Sequence, residues 1–134
     1  MGQYHILVNL DKREVVKPHG LALGAKQYEH VGCEGSLSDA MYVLVMTSPA
    51  SGGGDLAETE VSGRWAGDRV VVVGDYTQDN AIPGFENSKT LYQIASETYD
   101  DITPKLRDAF EKIYEFSYFE QEIGNFKSWK LTLM

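Results

Sequence analysis

The 134-residue chain contains a single cysteine, Cys33. One thiol closes no internal disulfide and supplies no zinc site of paired CxxC form, so neither cross-link is expected to hold the fold. No apolar run approaches the roughly 20 residues that a membrane-spanning helix requires. The N-terminus lacks the basic and apolar regions of a secretory signal. Met1-Gly2 opens like a myristoylation site, but Ile6 stands where that motif needs Ser or Thr. Cytoplasm is therefore the expected location. Positive charge is also scarce: 12 Lys and Arg face 20 Asp and Glu, a formal net charge of −8. That balance disfavours phosphate backbones and anionic lipid, so neither nucleic acid nor membrane is expected as a partner.

The usual signatures of catalysis are missing as well. Gly20 and Gly24 enclose three residues, whereas a phosphate loop needs four and then Gly-Lys-Ser/Thr, so that amides and lysine reach adjacent phosphates together. His5, His19 and His30 form no zinc pair at i, i+4, and EF-hand spacing is absent. There is no Gly-x-Ser-x-Gly elbow, Ser51 has no evident base, and Cys33 near His30 is only a neighbour in sequence.

What remains is an ordinary globular composition, 43% hydrophobic and 24% charged, in a length that suits one domain. Residues 4–9 read as a strand with Tyr4, Ile6 and Val8 on one face, and Glu14-Val15-Val16 as its hairpin partner, stopped by Pro18. An irregular glycine-rich loop follows. Ser36 and Asp39 have capping-box spacing for a helix to Met46, with an apolar stripe of Leu37, Met41, Leu44 and Val45. Residues 61–65 and 69–73 suggest a second hairpin turning at Ala66-Gly67-Asp68. Four successive valines, Val70 to Val73, predict a central strand covered on both faces. Residues 77–87 read as a long surface loop. Ser88 and Thr103-Pro104 open two further helices, the latter with Leu106, Phe110, Ile113 and Tyr114 inward, and residues 126–133 alternate like a final strand. The fold class expected is α+β: a single domain, residues 1–134, with a mostly antiparallel sheet and two or three helices.

Charged and aromatic residues gather in Gly63-Arg64-Trp65-Ala66-Gly67-Asp68-Arg69 and in Gly74-Asp75-Tyr76. A guanidinium, an aromatic face and a carboxylate can together grip a small polar ligand with a ring, such as a nucleotide or sugar. The same residues are also what a turn with local packing and ion pairs would use. Gly52-Gly53-Gly54 could offer amides to an anion, although Asp55 would repel a phosphate. Asp55, Asp68 and Asp75 could serve a divalent ion if they converged. Asp68 and Asp75, however, flank one extended segment and should lie roughly 20 Å apart, so two groupings are expected. His19 and Asp55 are expected to join Asp75 and Tyr76, at the end where a loop leaves a buried strand.

The blocks Met1-Gly2-Gln3-Tyr4, Val8-Asn9-Leu10-Asp11-Lys12, Pro18-His19, Gly52-Gly53-Gly54-Asp55, Gly63-Arg64-Trp65-Ala66-Gly67-Asp68-Arg69 and Gly74-Asp75-Tyr76 resemble a family of small uncharacterised microbial and phage proteins. The similarity covers residues 1–103, and Gly-Arg-Trp-Ala-Gly-Asp is its most distinctive part. The resemblance implies that the blocks form one site, but brings no catalytic residue, cofactor or substrate. The leading expectation is a noncatalytic binding domain for a small polar ligand or a protein partner. Its ligand-binding residues would be His19, Asp55, Arg64, Trp65, Asp68, Arg69, Asp75 and Tyr76. A small metal-dependent hydrolase or transferase using the Asp carboxylates is the first alternative. The second is a phage-type inhibitor acting through the acidic stretch from Glu97 to Glu122, which otherwise reads as a solvated face.

Overall fold

A computed structural model describes residues 3–21, 23–48, 53–84 and 88–114. The opening hairpin forms as its alternation suggests: β1 (His5–Asn9) pairs antiparallel with β2 (Glu14–Val16). Asn9 shapes the turn between them, because its Oδ1 accepts the N–H groups of Asp11 at 2.9 Å and Lys12 at 2.7 Å. On the other side of β1 lies β3 (Val70–Gly74), also antiparallel, while the short β4 (Asp100–Asp101) runs parallel to β2. The sheet order is β3-β1-β2-β4, a mixed sheet in an α+β domain.

Among the described residues three α-helices cover the two faces: α1 (Leu37–Val45), α2 (Ser88–Thr98) and α3 (Thr103–Tyr114). Because side chains alternate along a strand, Leu7 and Val16 bury against α1 and α3, with Leu37, Leu44, Leu106 and Phe110. Ile6, Val8, Val15 and Val73 bury on the opposite face with Leu91 and Ala95 of α2. The pairings make β3 and β4 run the same way at opposite edges, so α2 carries the chain across the sheet between them.

Local signals set the helix ends. The Ser36 hydroxyl accepts the Asp39 amide, as its capping position requires. The apolar stripe of α1 is shifted from the one expected: Leu37, Ala40, Val43 and Leu44 are buried, whereas Met41 and Val45 are each 39% exposed. Ser88 ties down the preceding loop, donating to the Gln78 carbonyl and accepting from Ala81, while Asp79 takes the Lys89 amide. At α3, Asp101 accepts the Thr103 amide at 2.9 Å. The expected strand at 126–133 lies outside the described residues.

Two expectations are overturned. Residues 61–65 form no strand; they make successive turns whose Gly63 and Trp65 amides bond to the Val43 and Leu44 carbonyls. These are among the carbonyls that a helix leaves unpaired in its last turn, so the segment caps α1 instead of pairing with β3. Gly63 has φ 75°, and a Cβ there would stand 2.8 Å from the Met46 carbonyl oxygen, which makes glycine the only fit. The valine strand, moreover, sits at an edge and not at the centre. Val71 and Val73 face α2, but Val72 is 51% exposed. The strands covered on both faces are β1, with Ile6, Leu7 and Val8 all buried, and β2, with Val15 and Val16 buried on opposite sides.

This arrangement reverses the energetic ranking of the two strands. Val72→Asp should cost no more than about 1 kcal/mol, since the carboxylate stays in water, whereas Val8→Asp should cost several through burial of an unpaired charge. Chemical denaturation of both variants tests the order.

Candidate functional site

The polar residues of the Gly63–Arg69 block meet the opening hairpin, and they meet it in pairs. Glu14 projects from β2 with only 5% of its surface exposed. Its carboxylate accepts Arg64 Nη2 at 2.6 Å, Arg64 Nε at 3.0 Å and Trp65 Nε1 at 2.7 Å. Burial alone would raise the Glu14 pKa; the bonds from Arg64 and Trp65 outweigh it and hold the group below its ordinary value. Three residues on, Asp68 accepts from Asn9 Nδ2 at 2.8 Å and from Lys12 Nζ at 2.5 Å, and these bonds lower its pKa. Arg69 closes the series on Asp11, through its amide at 2.7 Å and its Nε at 3.0 Å.

The candidate residues are thereby accounted for one by one. Trp65 is wholly buried and presents no ring face to a ligand. Arg64, Asp68 and Arg69 bond to Glu14, to Asn9 and Lys12, and to Asp11. Two groupings do form at opposite ends of β3. At the far end the Asp75 amide donates to the Tyr4 carbonyl, and Asp75 Oδ1 accepts the Tyr4 amide. His19 reaches this end, its ring edge-on to Tyr4 at 5.8 Å. Tyr76 is exposed beside it. Asp55 is exposed and precedes Leu56, which packs on the cluster containing Trp65. Among the described residues no three His, Cys, Asp or Glu side chains gather as a metal site would need.

The residues that sequence reasoning missed line a hollow elsewhere. A cavity of about 350 Å³ lies between β1, β3, α1 and the segment 25–31, lined by His5, Leu7, Ala25, Gln27, His30, Val31, Leu37, Ser38, Met41 and Val72. Its wall is mostly apolar, and its rim holds side chains that stay partly in water: Val31, Met41 and Val72 are 71%, 39% and 51% exposed. An adjoining hollow shares Gln27 and Val31 and continues to Tyr28 and Cys33. The sequence carries no signal for these residues: Met41 and Val72 are expected inside, and their exposure of 39% and 51% is set by the fold.

Two histidines sit in this wall. His5 Nδ1 is buried without a hydrogen-bond partner. His30 is buried and fully engaged: Nδ1 accepts the Leu37 amide at 3.1 Å, which places its proton on Nε2, donated to the Gly24 carbonyl at 2.6 Å. Leu37 opens α1, so the imidazole supplies an acceptor that the first helical turn lacks. Burial lowers the His30 pKa. A proton on Nδ1 would set two donors against each other.

Compared with known proteins, the chain matches no family model, no curated protein and no solved structure.

Both buried groups give pH-dependent stability. The folded pKa of Glu14 lies below its ordinary 4.5, so its contribution is present above that pH and is lost as pH falls through the folded value. Glu14→Gln should cost about 1–3 kcal/mol at neutral pH, moderated by the partial exposure of Arg64, and should flatten the acid limb of a stability profile. His30 also has a depressed pKa, so below its ordinary 6.5 the unfolded chain takes up a proton that the native one resists. Melting temperature should therefore fall as pH drops below 6.5, and His30→Gln should lessen that slope.

Proposed function

We propose that this protein is a noncatalytic binding domain, and that its ligand enters the cavity between β1, β3 and α1. The single observation that carries the reading is an apolar hollow of about 350 Å³, open at Val31, Met41 and Val72. Ligand pockets are commonly of this size, mostly apolar, with a few polar groups that set orientation. Leaving apolar side chains open to water costs free energy that a ligand would recover. The ligand chemistry that fits is a small, predominantly apolar molecule, because the wall offers mostly apolar side chains. A polar ligand held by Arg64, Trp65 and Asp68 draws less support, because those groups already bond to Glu14, Asn9 and Lys12.

A titration with 1-naphthol followed by amide NMR tests this. Saturable shifts confined to Leu7, Val31, Leu37, Met41 and Val72 are expected. Met41→Trp, which fills the hollow from an exposed position, should weaken binding at least tenfold, equivalent to about 1.4 kcal/mol. Shifts scattered over the surface, or none, would remove the reading.

A further inference from the structure

The open edge of β3 carries a second inference, which stands on backbone geometry and goes beyond the ligand reading. The hydrogen bonds from Leu10 to the Arg69 carbonyl and from Asp75 to the Tyr4 carbonyl set the parity of the β1–β3 ladder. In an antiparallel pair, residues bonded to the neighbour alternate with residues whose amide and carbonyl face away. Val71 and Val73 therefore bond to β1, and Val70, Val72 and Gly74 turn outward. The outward groups of Gly74 are met locally: its amide donates to the Thr77 hydroxyl at 3.0 Å, and its carbonyl accepts the Thr77 amide at 3.1 Å. Among the described residues, that leaves the outward amides and carbonyls of Val70 and Val72 without a partner, on the exposed side of an edge strand.

We propose that this edge pairs with the β3 edge of a second copy of the chain, antiparallel, about a two-fold axis at Val71. Only that register joins every open group to another open group. Val70 of each copy exchanges both bonds with Val72 of the other, four in all, and the two Val71 residues face each other as a non-bonded pair. Side chains agree with backbone. On the α1 face, Val70 of one copy lies opposite Val72 of the other, covering the valine that the monomer leaves 51% exposed at the cavity mouth. Charge agrees too. Arg69 stands before the strand and Asp75 after it, on the α2 face with Val71 and Val73. Antiparallel pairing sets the exposed Arg69 of each copy, while still paired with its own Asp11, diagonally to Asp75 of the other, so opposite charges adjoin twice. A parallel neighbour would set like against like. The edge also carries no proline and no charge on Val70 to Val73, the devices that usually keep such edges apart.

Sedimentation of the full chain from micromolar to near-millimolar concentration tests the proposal. A concentration-dependent dimer is expected, and Val72→Lys should return it to monomer with its circular dichroism spectrum unchanged. Register is read separately in a Cys33→Ser background. Directly opposed non-bonded residues have Cα atoms about 4.5 Å apart, within disulfide range. Val71→Cys should thus cross-link on mild oxidation far faster than Val70→Cys or Val72→Cys. A monomer at all concentrations overturns the proposal, as does a dimer that survives Val72→Lys or cross-links no faster through position 71. Met41→Trp changes no backbone group of β3, and cross-linking through position 71 is read without naphthol, so loss of naphthol binding and loss of the dimer are distinguishable outcomes.

Discussion

A carboxylate inside a small protein is a demand on everything around it. Glu14 is buried in β2, and its charge is tolerated only because Arg64 and the Trp65 indole reach it from a segment 50 residues away. Satisfying that carboxylate brings residues 61–65 under the sheet, where their amides close the end of α1 and Trp65 joins Leu44 and Phe110 in the larger core. The position of α1, and with it the cavity wall at Leu37 and Met41, therefore follows from one buried acid. Removing one partner of such a pair is far more damaging than removing both, because the group left behind remains buried.

The pairing also explains why the most recognisable blocks of the chain lie together. Asn9, Asp11, Lys12 and Glu14 bond in turn to Asp68, Arg69 and Arg64, so the opening hairpin and the Gly-Arg-Trp-Ala-Gly-Asp-Arg segment are two halves of one interlock. Residue types chosen for ligand recognition and for holding a loop onto a hairpin are the same, since both tasks use directional, charge-assisted hydrogen bonds. What separates them is whether the partner is inside the chain.

With the interlock closed at one end of the sheet, the open features collect at another place. The exposed Val72 of β3, His5 and the engaged His30 border the same hollow. A cavity roofed by a segment whose anchor is a neutral imidazole is a structure whose shape depends on protonation, because His30 holds both the Gly24 carbonyl and the first amide of α1.

Much of the fold was legible in the chain itself. The hairpin of β1 and β2, the Ser36 cap, the inward face of α3 and the separation of Asp68 from Asp75 rest on short-range rules of alternation, capping and rise per residue, which act within a few positions. The exclusion of a disulfide framework and the acidic character belong to composition alone. Tertiary structure decided the rest. Four valines were compatible with a central strand, and only the sheet order put them at an edge and gave the centre to Ile6-Leu7-Val8. Residues 61–65 had the pattern of a strand, yet the unpaired carbonyls of α1 and the Glu14 carboxylate together took their polar groups. Neither competitor is near them in sequence. The candidate site moved for the same reason: a side chain's type is written locally, but whether its partner is another side chain or a ligand depends on which distant segment the fold brings within 3 Å.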